Sequence, residues 1–317
     1  MSRLKGFLWF LALRLARATA TLAICVTIVF VVLRSAGDPL ASLLPDDTPP
    51  DVVEIYRERF GLDQSIWQQY LGYLQSVAHG DFGRSFVHHR DALAVVWERV
   101  PATLELGGLA LIAAVLIGVP LGVLATFGRN TWVDRAAMSA AVFGYSLPNF
   151  FLAILLILWL SLSLRLLPSA GSDLPQHLIM PIIVLGAPAA AKIARFTRTS
   201  MVEVIGQPFM RAAAAKGVPT RPRLIGHAFP NAAIPVVTFL GFEIGAMIGG
   251  GVVTETIFAW PGLGRLLVQA VGQRDLAVVQ TIVLMIAATM VCANLLVDLA
   301  YGWLDPRVRV GLRGTGK

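Results

Sequence analysis

Few side chains of this sequence stand where they could do chemistry, and most of those are isolated. Glu243 lies deepest in a long apolar run. A carboxylate at such a depth costs roughly 2.5–3.5 kcal/mol in a lipid setting, so it must face a cavity or a partner. Two readings stand for it: a residue on a solute path that meets an amine or cation, or half of a helix–helix hydrogen bond. Glu105 and Glu255 lie near the ends of apolar runs, where a structural role is favoured. Asn294 and Asp298 are one helical turn apart and read as a structural hydrogen bond. His79, His88 and His89 raise the question of a metal, but no third ligand stands at metal spacing, so they read as solvated side chains. Ser146 and Ser161 have no histidine in a nearby run, which speaks against a protease buried in apolar surroundings. No Gly-x-x-x-x-Gly-Lys-Ser/Thr phosphate loop occurs. Any process driven by ATP therefore needs a second chain to hydrolyse it.

The most distinctive stretch is Arg195 to Pro235, which reads as a polar, basic loop between apolar runs. Within it, Pro208-Phe209-Met210-Arg211-Ala212-Ala213-Ala214-Ala215-Lys216-Gly217 predicts a short helix. Proline suits a first helical turn, alanine is the strongest helix former, and glycine can take the left-handed conformation that closes a helix. Such a helix has a nearly bare face on which another surface can approach the backbone, with Phe209 and Met210 beside it as anchors for a pocket. A second short helix is expected over Arg223 to Phe229, ended by Pro230.

The elements that must carry these residues follow from composition. Of 317 residues, 56% are hydrophobic and 14% charged, with a mean hydropathy of +0.71. A soluble domain is nearer a quarter charged, so this chain belongs in a bilayer. The net charge of +7 is not gathered into one patch, which favours membrane over nucleic acid as partner. Cys25 and Cys292 fall in apolar runs and read as packing residues.

About 20 apolar residues cross the hydrocarbon core. Six runs qualify: roughly 13–33, 102–127, 136–164, 178–193, 231–257 and 276–303. The first follows Arg3 and Lys5 and carries Arg14 and Arg17 at its start; its length favours a retained span over a cleaved signal peptide. Gly118 and Gly122 form a small-residue face in the second, with Pro120 between them as a candidate kink. Pro148 is a candidate break in the long third run. Gly241, Gly245 and Gly249 make a backbone-thin stripe in the fifth, and Glu243 lies about 200° from Gly241 around that helix. The segment 259–265 is expected simply to return the chain.

Ser65 and Gln68 make a capping box before Ile66, Tyr70, Leu74 and Val77, which predicts an amphipathic helix stopped by Gly80. Between Lys192 and Arg223 stand seven Lys/Arg and one acid, whereas residues 34–100 carry ten acids and six Lys/Arg. The positive-inside rule places the first segment and both termini in the cytoplasm and the second outside. The organisation expected is a cytoplasmic start and first span over 1–35, an outer segment over 36–100, a five-helix core over 101–303 with a cytoplasmic loop at 196–230, and a tail at 304–317. The fold class is an all-α polytopic membrane protein.

Several motifs, in order, resemble the membrane subunits of ABC importers. Arg211-Ala212-Ala213-x-x-x-Gly217 with Phe229-Pro230 is similar to their "EAA" loop, and Arg211-x-x-x-Ala215-Lys216-Gly217 with His227-Ala228-x-x-Asn231-Ala232 to its di-/oligopeptide and nickel branch. The general pattern's glutamate is Arg211 here and its isoleucine is His227. Gly37-Asp38-Pro39, Gly61-Leu62-Asp63-Gln64, Gln69-Tyr70-Leu71, Gly80-Asp81-Phe82-Gly83-Arg84-Ser85, the run Glu255–Gly264, Arg274-Asp275, the run Asn294–Asp298 and Asp305-Pro306-Arg307 extend the resemblance over most of the chain.

The resemblance implies a type I importer permease fold whose Ala-rich helix docks in a cleft of the ATPase. It also implies a second homologous permease, two ATPases carrying ATP and Mg, and a periplasmic binding protein. This chain itself would be non-catalytic and bind no cofactor or metal. Di- or oligopeptides are the first expected solute. Nickel, glutathione or another small solute are the alternatives, and an ion-coupled secondary transporter is the rival class.

Overall fold

A computed structural model describes residues 2–35, 40, 44, 48–59 and 62–304. The motif at Gly37-Asp38-Pro39, Gly61, Asp305-Pro306-Arg307 and the rest of the tail lie outside them. Among the described residues the chain is almost wholly helical: α1 (Ser2–Ser35), α2 (Pro50–Arg59), α3 (Ile66–Ala78), α4 (Ala92–Trp97), α5 (Val100–Phe127), α6 (Trp132–Ser146), α7 (Asn149–Leu156), α8 (Ile179–Ile205), α9 (Pro208–Ala215), α10 (Phe229–Ile257), α11 (Leu263–Gly272) and α12 (Leu276–Leu304). Five stretches, Ala12–Val32, Ala92–Phe127, Pro175–Ile205, Thr220–Gly245 and Leu276–Leu296, are long and apolar enough to cross a membrane. Helix α6 and the helical run from Asn149 to Ser163 make a sixth if counted as one span, although they are bent by 97°.

That bend falls at Pro148, the candidate break in the third run. Leu147 is extended (φ −78°, ψ 125°), as a residue before proline prefers, and Pro148 starts the next helix by accepting from Phe151 N–H at 3.0 Å. Past Leu156 the helix widens to π geometry over Ile157–Ser163.

The fourth span is also longer than its apolar run. Helix α8 passes Pro188 unbroken and continues to Ile205. It persists because Ile193, Ala194, Thr197, Ser200 and Met201 keep one buried face at helical spacing through the charged stretch. The expected loop over 195–235 is accordingly mostly helix. Nor does Pro230 end a helix: Thr220–Pro222 and a π turn at Arg223–Ala228 run directly into α10, where Pro230 occupies the first turn. Pro120 likewise leaves α5 unbroken.

The chain divides into two compact units: Met1–Ala102 with Pro261–Val291, and Thr103–Trp260 with Cys292–Lys317. In the first unit the expected capping box is present, with Ser65 N–H donating to Gln68 Oε1 at 3.1 Å. Helix α3 rests on α1 through Phe30, which stacks on Tyr73 at 5.8 Å and tilts against Tyr70 at 5.3 Å. Thr27 and Tyr70 share a 2.7 Å hydrogen bond. The stretch after Trp260 holds α11, an amphipathic helix where only a return loop was expected. Leu263, Leu266 and Ala270 pack with Ala92, Val95 and Val96 of α4 and Val278, Val279 and Ile282 of α12.

The second unit is built around α8. Its close approach to α5 rests on two glycines. A Cβ on Gly118 would lie 2.6 Å from Ala190 O, and one on Gly122 would lie 2.5 Å from Ala194 O and 2.7 Å from Thr197 Cβ. Gly241 and Gly245 are buried on α10; the surroundings of Gly249 lie outside the described residues. By contrast, a Cβ on Gly107 or Gly108 meets nothing within 4 Å. Overpacking costs about 1–3 kcal/mol per site. Thermal denaturation of the purified chain should therefore show Gly118→Leu and Gly122→Leu destabilised by that order, while Gly107→Leu stays near wild type.

Candidate functional site

Helices α8 and α10 run antiparallel and are joined by the segment containing α9, so one side of α8 can be matched to α10 layer by layer. Nearest the turn, Met201, Met210, Leu224, Ala228 and Ala232 form a buried apolar cluster. Further along, Phe196 stacks on Phe239 with ring centroids 4.6 Å apart. One turn beyond, Lys192 Nζ donates to Glu243 Oε1 and Oε2 at 3.2 and 3.4 Å. Lys192 is the middle residue of α8, and Glu243 the middle residue of α10.

Two more cations of α8 point elsewhere. Arg195 lies over the Tyr145 ring at 5.8 Å. Arg198 grips Asp134 of α6 with both ends of its fork, Nε to Oδ1 at 2.5 Å and Nη2 to Oδ2 at 2.6 Å. Asn130 N–H adds a third donor to Asp134 at 3.0 Å. Each step of three residues turns about 300° around the helix, so 192, 195 and 198 address different neighbours.

Helix α9 has the form its residues predict. Pro208 opens it, and Gly217 closes it at φ 77°, with Gly217 N–H and Val218 N–H donating to Ala214 and Ala213 carbonyls at 3.0 and 3.1 Å. Phe209, Arg211, Ala212, Ala214, Ala215, Lys216 and Gly217 are exposed and Ala213 is half-buried. Met210 departs from expectation. It is 2% exposed and packs within the chain's own cluster, so it cannot anchor in a partner; Phe209, 45% exposed, remains available.

A second centre lies in the first unit. Ser85 and Asp275, both buried, are joined by a 2.5 Å hydrogen bond from Ser85 Oγ to Asp275 Oδ2. Ser85 Oγ in turn accepts from His88 N–H at 2.9 Å. Asp275 precedes α12, and its backbone carbonyl accepts from Val279 N–H at 3.0 Å. Gly83 holds φ 80° and Asp81 Oδ1 accepts its N–H at 2.9 Å, folding the Gly80–Ser85 turn toward this aspartate. Two motifs far apart in sequence thus meet at one carboxylate.

Glu255, expected near a span end, is buried and accepts from Thr103 Oγ1 at 2.7 Å. Among the described residues no three His, Cys, Asp or Glu side chains gather as metal ligands.

Sequence reasoning missed Lys192, Asp134 with Arg198, and the meeting of Ser85 with Asp275. Lys192 was counted with the loop cations. The signal available was a lone lysine and a lone glutamate in two neighbouring apolar runs.

The described residues thus carry several membrane-length helices and an exposed, alanine-faced helix at the tip of a long hairpin. Residues 118–310 match the family "Binding-protein-dependent transport system inner membrane component", and residues 7–107 match its N-terminal companion. The chain belongs to this family of ABC importer permeases. It is 40% identical over 297 residues to the glutathione transport system permease protein GsiC of Escherichia coli (strain K12), covering 93% of this chain and 97% of that protein. The same protein of Shigella dysenteriae serotype 1 matches to the same extent.

Among solved structures, the inward-facing MetNI methionine ABC transporter matches with a TM-score of 0.57 at 19% identity, over 67% of this chain and 96% of the matched chain. An amino acid ABC transporter with histidines gives 0.51 at 19% identity, over 68% and 94%. The fold is that of type I importer permeases, and the ion-coupled secondary transporter falls as an alternative.

Truncating a buried methionine costs about 2–5 kcal/mol. Met210→Ala should lower the thermal stability of the isolated chain by that order, and Phe209→Ala should leave it unchanged in the same measurement.

Proposed function

We propose that this chain is the permease of an ATP-driven importer of small peptides, with glutathione, itself a tripeptide, as the first solute to test. The supporting observation is the 40% identity, over 93% of this chain, to proteins named as glutathione permeases. Longer peptides remain within the same proposal. The importer would hold a second homologous permease, two ABC ATPases carrying ATP and Mg, and a periplasmic binding protein. Both termini and α9 would lie in the cytoplasm.

In this reading the exposed face of α9, formed by Phe209, Arg211, Ala212, Ala214, Ala215, Lys216 and Gly217 with Ala213 at its edge, seats in the ATPase. Alanines and a glycine let the partner approach the backbone, Phe209 supplies the anchor, and two cations set the charge of the complementary surface. Movement of the ATPase would turn the α8–α10 hairpin as one piece, and solute would pass along the face that carries Lys192 and Glu243.

The test is uptake of labelled glutathione by the complex in proteoliposomes with its own ATPases and binding protein. Uptake should require ATP and persist when ion gradients are collapsed. Uptake without ATP, or none with the complete complex, overturns the proposal. Substitution of Ala214 by Trp or of Gly217 by Val should cut co-purification of the ATPase at least about fivefold, since about 1 kcal/mol of lost affinity already has that effect. Retention of both the ATPase and uptake in these variants would show that α9 docks nothing.

A further inference from the structure

The ion pair at the centre of the α8–α10 hairpin is asymmetric. Glu243 is the inner partner, with 7% of its side chain exposed, against 30% for Lys192. Both carboxylate oxygens of Glu243 face the same ammonium. That ammonium has three N–H donors, and two contacts on one side of it leave donor capacity on the open side. The charge this hairpin presents outward is therefore positive, the opposite of what a lone glutamate in the sequence suggests.

Position makes this exposure informative. Lys192 lies within Pro175–Ile205, a stretch long and apolar enough to cross a membrane. An ammonium within a span is not left open to hydrocarbon; ionisable groups there face a bundle interior or a water-filled cavity. The neighbouring cations are already engaged, Arg195 on Tyr145 and Arg198 on Asp134. One turn toward α9, the Phe196–Phe239 stack makes an aromatic floor beneath the pair. A solute reaching this level from the far side of the floor meets one open cation with its counterion behind it.

We propose that Lys192 Nζ reads a carboxylate of the solute on the transport path, and that Glu243 is a positioning residue that holds the ammonium there while the path is empty. The assignment rests on the reading of the chain as an importer of small peptides and narrows it: the solute carries a free carboxylate, and the contact is made by Lys192 rather than by Glu243. A carboxylate needs only the open side of the ammonium, so the pair need not part for the solute to bind. Release needs no rearrangement either, since Glu243 keeps its own hold on the ammonium throughout.

The experiment uses the complete importer in proteoliposomes, with glutathione and tri-alanine as separate probes, and reads solute moved per ATP hydrolysed. Lys192→Gln should lower that ratio roughly tenfold, the worth of one charge-assisted hydrogen bond. Lys192→Arg should keep at least half of it, and so should Glu243→Gln.

The double variant Lys192→Gln with Glu243→Gln separates recognition from packing. It removes the buried unpaired carboxylate that the single lysine variant leaves behind, so it restores any loss due to packing alone. The proposal requires the double variant to stay as poor as Lys192→Gln. Recovery of the wild-type ratio in the double variant overturns it, as does a Glu243→Gln defect equal to that of Lys192→Gln. A wild-type complex that moves neither probe overturns the small-peptide reading and this assignment with it. A wild-type complex that moves both, with Lys192→Gln unimpaired, overturns only the assignment.

Discussion

The second unit depends on the close approach that glycine permits between α5 and α8. In lipid there is no hydrophobic force to press one apolar helix onto another, so association must come from packing and internal hydrogen bonds. At Gly118 and Gly122 the backbone of α8 lies where a side chain would otherwise stand. With α8 held on that side, its other faces are free to meet α6 and α10. A bulky α5 would displace α8, and with it every polar pair that α8 makes.

Those pairs follow from one spacing. Lys192, Arg195 and Arg198 recur every three residues, slightly less than a helical turn, so successive cations drift around α8. The first meets Glu243 of α10, the second the Tyr145 ring at the end of α6, and the third Asp134 at its start. Charges of this kind are costly to bury singly and tolerable when paired. The charged half of α8 thus directs its three cations onto neighbouring helices.

Much of this was legible in the residues. The apolar runs located the spans, Pro208 and Gly217 bounded α9, and Ser65 with Gln68 marked the start of α3. What was hidden had a common physical cause: the outcome depended on a partner far away in the chain. Pro148 breaks its helix whereas Pro188 and Pro120 do not, a difference that the prolines themselves do not carry. Met210 and Phe209 are both large and apolar, yet only Met210 finds Met201, Leu224 and Ala228 beneath it. Ser85 and Asp275 looked like separate family markers until the turn at Gly83 brought them onto one carboxylate. Lys192 was counted with the loop cations because the helix that carries it outlasts its apolar run.

The placement of Met210 also shapes how a push on α9 would travel. A helix of eight residues has too few internal hydrogen bonds to stand alone, so its stability must come from tertiary contact. Met210 ties it to Met201 of α8, to Ala232 of α10 and to Leu224 and Ala228 between them. Displacing α9 relative to the hairpin would open that cluster, at the cost of a large-to-small core substitution or more. Moving the hairpin with it breaks nothing inside the cluster. The lower-energy response is thus for α8, α9 and α10 to shift together. The Phe196–Phe239 stack and the Lys192–Glu243 pair lie within the same hairpin, so they would be carried along as a unit rather than sheared.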